Sequence, residues 1–281
     1  MYLYSFDRFF GFDKVCRMTD DSAEDNRRWK KWQKIKPGDL LIFGNQYFLA
    51  LGENLAFAEQ YQHLTTTQAE LVYKEFLSAP ALKLFHRMVE TYYTTYKSVV
   101  RLFFADDIEK LLERENKLNK IAKNWQKLAL LVTKIDQNKF NFASEWQTLI
   151  VFPDLRTMFN SVPSERLNDK MIKWWNLSEW RNDEMIKPSK EDKWWNVVTL
   201  LASDTQNQKD VHRWEIKKWM KSVILCTYAE IFQDFHDLKK IIFVDPHKRY
   251  YANQQDPRYK VGEVIEEMKK LYWVDIEIMG V

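Results

Sequence analysis

Glycine is scarce in this chain, with six among 281 residues, against a usual share of about 7%. None of the six falls in GxGxxG or GxxxxGK[ST], so the glycine-built loops that cradle dinucleotides and nucleoside triphosphates are excluded. Cysteine is scarcer still. Cys16 and Cys226 stand far apart without a CxxC pair, and the five scattered histidines have no zinc-ligand spacing. No disulfide framework, standard zinc site or other cofactor is therefore expected. No window holds eighteen consecutive apolar residues, and MYLYSFDRFF at the start carries no basic n-region before an apolar stretch. Neither a membrane span nor a secretory leader is expected, and the chain reads as intracellular (cytoplasmic). An excess of charge of one sign is also missing: the formal net charge is +3, so any attraction to a polyanion must come from local clusters.

Aromatic residues, in contrast, make up 15% and recur beside lysine, as in Trp29-Lys30-Lys31-Trp32, Lys173-Trp174, Lys193-Trp194 and Lys218-Trp219. That pairing suits base stacking next to phosphate contacts. It equally suits a core rimmed by lysines whose aliphatic stems lie along it. The tetrapeptide Lys-Trp-Trp-Asn occurs at 173–176 and again at 193–196. Trp174 shares a helical face with Leu167 and Met171, and Trp194 with Val197, Val198 and Leu201, so both are expected in the core. Trp175 and Trp195 then sit about 100° around their helices, at the edge of the buried stripe.

The patterning predicts an α+β chain that is predominantly helical. A β-rich module occupies 1–66, where MYLYSF reads as a strand and GDLLIFGNQYFLALG (38–52) as a hairpin turning at Gly44-Asn45. A helical domain follows at 67–208. In it, Leu82, Phe85, Val89, Tyr92, Tyr96, Val99 and Phe103 form one apolar seam. Ile108, Leu111, Glu115, Leu118, Ala122, Trp125, Ala129 and Val132 form a second, with Glu115 the single misfit. The two predict a helical hairpin over 80–135 whose arms bury each other, with Asp106 and Asp107 placed to cap the second arm. The remainder, 209–281, reads as a long helix at 209–239, then a strand at KIIFVDP, a helix at VGEVIEEMKKLY and a strand at WVDIEIMGV.

Three places gather cations and rings. The loop His247–Lys260 carries Lys248, Arg249, Arg258 and Lys260 against Asp256 alone, interleaved with Tyr250, Tyr251 and Tyr259. It leaves the carboxyl end of a strand, where α/β units bind ligands, and Gly262 with the following helix offers backbone N–H groups to a phosphate. If the tyrosines instead pack inward, it is an ordinary surface loop. RRWKKWQKIK (27–36) brings Arg27, Arg28, Lys30, Lys31, Lys34 and Lys36 around Trp29 and Trp32. There Trp29, Trp32 and Ile35 step by three, which favours burial of the rings within a basic rim. Arg213, Lys217 and Lys221 recur every four residues on the predicted long helix, beside Trp214 and Lys218. Such a stripe can follow a nucleic-acid backbone, though a charge run is far more often the solvated side of a helix.

Catalytic patterns are thin. Glu215-Ile216-Lys217 has the letters of the nuclease triplet (D/E)xK, but that triplet belongs on a strand and here lies in a helical stripe. Asp245 and His247 can form an acid–base or metal pair only with a second carboxylate in register. Cys16 and Cys226 have no neighbouring histidine to activate them.

The segment WQKIKPGDLLIFGNQYFLALGE, 32–53, resembles the barrel hairpin of PUA-like domains, the superfamily that includes EVE, YTH and ASCH modules. The resemblance rests on the IKPGD turn into a strand and the Gly-Glu after the next one. It covers about a tenth of the chain. It implies a small β-barrel that binds RNA or modified bases in an aromatic pocket, with Trp29, Trp32 and Tyr47 as the rings concerned. No resemblance extends over 67–281.

These features point to a nucleic-acid-binding protein, for DNA or RNA, that contacts phosphates and bases through basic-aromatic patches within a larger nucleoprotein assembly and beside protein partners. The alternatives are a metal-dependent nuclease with dispersed carboxylates and a helical scaffold that binds another protein.

Overall fold

The computed structural model describes residues 1–6, 14–18, 35–55, 58–61, 65–66, 70–104, 107–125, 146–161, 197–248, 251–253 and 255–280. Its first sheet comprises β1 (Tyr2–Ser5), β2 (Val15–Met18), β3 (Leu40–Phe43), β4 (Gln46–Gly52), β5 (Thr65–Thr66) and β6 (Glu70–Tyr73), in the order β5-β2-β1-β4-β3-β6. Neighbours run antiparallel except β2 and β5. The predicted hairpin is β3–β4, with Leu40 opposite Leu49 and Phe43 opposite Gln46. Gly44 takes φ +59, as the first central position of a two-residue hairpin turn requires. Gly38 is needed for a different reason: at φ +93, a Cβ there would lie 2.2 Å from the Leu77 carbonyl oxygen. Asp39, in the same turn, accepts from the backbone N–H of Lys36 and of Glu75, both at 2.8 Å. The IKPGD turn is thereby tied to the end of β6, whose residues the patterning places in the helical domain.

Helices α1 (Ala79–Tyr92), α2 (Tyr96–Phe103) and α3 (Ile108–Trp125) follow. The first predicted seam is present, and Leu82, Phe85, Val89, Tyr96, Val99 and Phe103 are all buried, each contributing about 1.5–3 kcal/mol if fully enclosed. It is not one helix. Tyr93 turns left-handed at φ +49, and the Thr95 side chain accepts from Ser98 N–H to start α2 afresh. Asp107 supplies the expected cap of α3 by accepting from Lys110 N–H at 3.1 Å. Residues 126–135 of the predicted hairpin lie outside the described residues.

The second sheet is assembled from β7 (Gln147–Phe152), α4 (Leu155–Ser161), β8 (Val197–Leu200), α5 (Gln206–Lys217), β9 (Val223–Thr227), β10 (Leu238–Val244), α6 (Val261–Tyr272) and β11 (Asp275–Met279). Its five strands are all parallel, in the order β11-β10-β7-β9-β8. Two sheets of this size overturn the expectation of a predominantly helical α+β chain: the fold is mixed α/β. The cause is the parallel sheet. Every residue of β7 and β9 is buried, because helices cover both faces of such sheets and the alternation that marks a strand disappears. The predicted helix at 209–239 is therefore α5, β9, a 3-10 turn at Tyr228–Glu230 and the approach to β10. Val197 and Val198, expected on a helix face with Trp194, belong to β8. Trp194 and both Lys-Trp-Trp-Asn segments lie outside the described residues.

The arms of the predicted hairpin choose other partners, α1 packing against α6 and α3 against α5. One continuous core runs from Tyr2 and Leu40 in the first sheet through Phe85 and Phe103 to Ile224, Ile241 and Met268 around the second. Among the described residues, no helix is long and apolar enough to cross a membrane.

Candidate nucleic-acid interface

The strand, helix and strand at the end of the chain lie where their patterns place them, and β10 and β11 are parallel neighbours. The loop between β10 and α6 thus emerges at the carboxyl edge of the sheet. Strands β9 and β8 lie to one side of β7, and β10 and β11 to the other. Open parallel sheets bind ligands outside the carboxyl ends at such a reversal.

Inside the loop the rings face inward. Tyr251 is 6% exposed and Tyr259 3%. The Tyr251 hydroxyl sits between two strand ends, 3.0 Å from the carbonyl of Val151 and also in hydrogen-bond contact with that of Val244. Its ring meets Phe243 edge-on at 4.5 Å. Tyr259 donates to the Tyr228 carbonyl at 3.3 Å and packs edge-on against Phe232. Burial pushes both phenols above the ordinary tyrosine range, so both remain neutral donors. Neither ring is available for stacking on a base.

The rest of the loop is clamped from outside. Asp256 accepts from Thr94 Oγ1 at 2.9 Å and from Ser98 Oγ, which fastens the loop to the α1–α2 turn. Asn253 bonds Tyr259 through its N–H and Pro257 through its side chain. What remains outward is cationic. Arg258 is exposed, Lys248 pairs with Asp245 at 3.0 Å, and Lys260 pairs with Glu263 at 3.2 Å. The amino end of α6 is less inviting to an anion than its glycine suggests: Val261 N–H is bonded to Tyr251, and the Glu263 carboxylate occupies the first turn, held by Lys260 and Tyr92. Arg249 and Tyr250 lie outside the described residues, as do Arg27, Arg28, Lys30, Lys31, Trp29 and Trp32.

The predicted stripe is neither on one helix nor a solvated face: α5 ends at Lys217, and Lys221 lies beyond it. Lys217 reaches the backbone carbonyls of Glu75 and Phe76, pairs with Asp234 at 3.0 Å, and lies 5.6 Å from the centre of the Tyr73 ring and 5.4 Å from that of Phe76. Lys221 pairs with Glu215 at 3.6 Å, and Arg213 lies 3.9 Å from the buried Asp210, which also receives Arg114. Burial opposes the charge on Glu215, but Lys221 and His212 together hold its carboxyl below the ordinary range. Arg213 is driven the other way, its pKa lowered by desolvation, and its Nε and Nη1 lack hydrogen-bond partners among the described residues. Beside it is a cavity of about 20 Å³, room for a water molecule, lined by Glu115, Lys217, Asp234 and Phe104 among others. Glu115 thus earns its place in an apolar seam: the misfit faces this cavity with Oε2 unpartnered among the described residues.

The enzyme patterns fare as their context dictates. Glu215-Ile216-Lys217 lies on a helix, with the two charged side chains engaged by different partners. Asp154 and Asp245 follow the adjacent strands β7 and β10, yet Asp154 caps α4 through Thr157 and Asp245 holds Lys248. No group of three metal-ligating side chains is present among the described residues. Both cysteines are buried, and burial raises Cys16 to about 12 and Cys226 well above its ordinary value.

Two residues that patterning did not single out organise the opposite edge. Gln147 is fully buried at the start of β7, and His236 lies exposed just before β10. A buried polar residue opening an apolar strand was the available signal for the first; nothing local marks the second. No family model matches the sequence and no curated protein does, so the chemistry of its own residues is what speaks for its function.

Proposed function

We propose that the protein binds nucleic acid, DNA or RNA, through phosphate contacts at the carboxyl edge of its parallel sheet, as a subunit of a larger nucleoprotein assembly. The supporting observation is the anchoring of the loop after β10. Tyr251, Tyr259 and Asp256 fix its backbone from three sides, which leaves Lys248, Arg258 and Lys260 presented outward from a preorganised frame. Buried, unpaired thiols at Cys16 and Cys226 suit an intracellular, cytoplasmic setting.

Binding of fluorescent single- and double-stranded DNA and RNA, titrated from about 50 to 200 mM salt, tests this. Affinity should fall steeply with salt. Replacing Lys248, Arg258 and Lys260 by alanine should weaken binding to all sequences alike and flatten the log–log slope by about one for each phosphate no longer neutralised. Salt-independent binding, or none at the low-salt limit, would refute the proposal.

A further inference from the structure

At the other edge of the parallel sheet, an exposed ring is held out on a built support. Trp219 follows α5 with its backbone left-handed at φ +56, a region bulky side chains avoid, and it is 47% exposed. Its indole stacks on His236, with ring centres 5.8 Å apart and planes 14° from parallel. The two rings come from different segments, and one buried side chain ties those segments together. The Gln147 amide donates to the carbonyls of Ile216 at 2.7 Å and Lys221 at 3.0 Å, spanning the turn that carries Trp219. Its oxygen accepts from Asp237 N–H at 3.1 Å, next to His236. Lys218 precedes Trp219 in the chain and is exposed; its ammonium meets the Tyr73 hydroxyl at 3.2 Å and the Tyr73 ring at 5.9 Å, and among the described residues it makes no ion pair.

We infer that Trp219, seated on His236 and flanked by Lys218, is a stacking platform for an unpaired nucleobase of a single-stranded nucleic acid, with Lys218 meeting the adjoining phosphate. A planar ring backed by a second ring, next in sequence to an exposed lysine, matches the two chemistries of a single-stranded polynucleotide, a π-face and an anion at regular spacing. Trp273 offers a contrast within the same molecule. It is also left-handed, at φ +56, and more exposed than Trp219, at 87%, yet no ring stacks beneath it among the described residues. The inference rests on the nucleic-acid function proposed above, but at a site that function does not use.

The test compares a fluorescent 20-nucleotide oligothymidylate with an abasic oligomer of the same length, at fixed low salt. The parent should bind the oligothymidylate more tightly by about 5- to 150-fold, the range of one stacked base. Trp219→Gly suits the left-handed backbone, so it removes the ring without straining the fold; it should bind both oligomers equally. His236→Ala, at an exposed position, should narrow the preference, and Trp273→Gly should leave it intact. Retention of the preference in Trp219→Gly, with an unchanged melting curve, overturns the platform. Tight binding of both oligomers alike by the parent overturns it too, while leaving the phosphate-binding proposal standing; absence of binding to either removes both.

Discussion

The Tyr251 hydroxyl lies 3.0 Å from the carbonyl oxygen of Val151, 100 positions earlier, and so joins the loop after β10 to the end of β7. A buried phenol in that place satisfies carbonyls that water cannot reach. Tyr251→Phe keeps the ring against Phe243 and removes only the oxygen. It should cost about 1–3 kcal/mol, the penalty of leaving buried acceptors unmet, and should weaken nucleic-acid binding by loosening the frame of Lys248 and Arg258. Thermal unfolding and the salt-titrated binding assay read both effects. A variant that melts and binds like the parent would show that the loop is held by its other clamps.

Glu115 makes stability depend on pH. Burial raises its pKa, with Asp234 and Asp210 adding to the effect and Lys217 and Lys218 opposing it. For a carboxyl whose folded pKa is raised, the neutral form suits the folded state. Its favourable contribution is complete below the ordinary value of 4.5 and is lost as pH rises through the folded value. Glu115→Gln keeps the shape and removes the titration. The variant should therefore be more stable than the parent at pH 7, with the difference vanishing well below pH 4.5. Denaturant melts across this range check it, and a variant less stable at pH 7 would mean that Lys217 needs the charge more than burial penalises it.

Gly38 permits no side chain. Its positive φ and the Leu77 carbonyl, 2.2 Å from where a Cβ would stand, make Gly38→Ala costly on two counts. The expected loss is about 2–5 kcal/mol. Gly262→Ala, where the nearest atom is a Phe243 ring carbon at 3.9 Å, should be mild by comparison. Parallel melts of the two variants decide it, and similar melting temperatures would contradict the close approach.

Features set by neighbours in sequence are legible in the letters alone. Gly44-Asn45 between two apolar runs announces its hairpin, Asp107 announces a cap, and the final strand, helix and strand keep distinct periods. Features set by distant partners are not. The run from Ser222 to Thr227 is buried on both faces, so its letters suit a helix as well as a central parallel strand. The break at Tyr93 escapes notice because left-handed helix ends are usually marked by glycine, of which this chain has few. At the candidate site, Lys248 and Arg258 face outward as a loop allows, but Tyr251 and Tyr259 turn inward to partners that sequence does not place nearby. Arg213, Lys217 and Lys221 have the spacing of an exposed stripe and are engaged by Asp210, Asp234 and Glu215 instead.

That internal seam of opposite charges has a consequence for how the molecule responds to ionic strength. Counterions weaken attractions that reach through solvent far more than those shielded by protein, and Asp210 is buried and Arg213 largely so. Raising salt should therefore strip the polyanion proposed to bind the outer cations while α3 and α5 stay docked. Release of ligand and loss of structure then become two separate events along one titration.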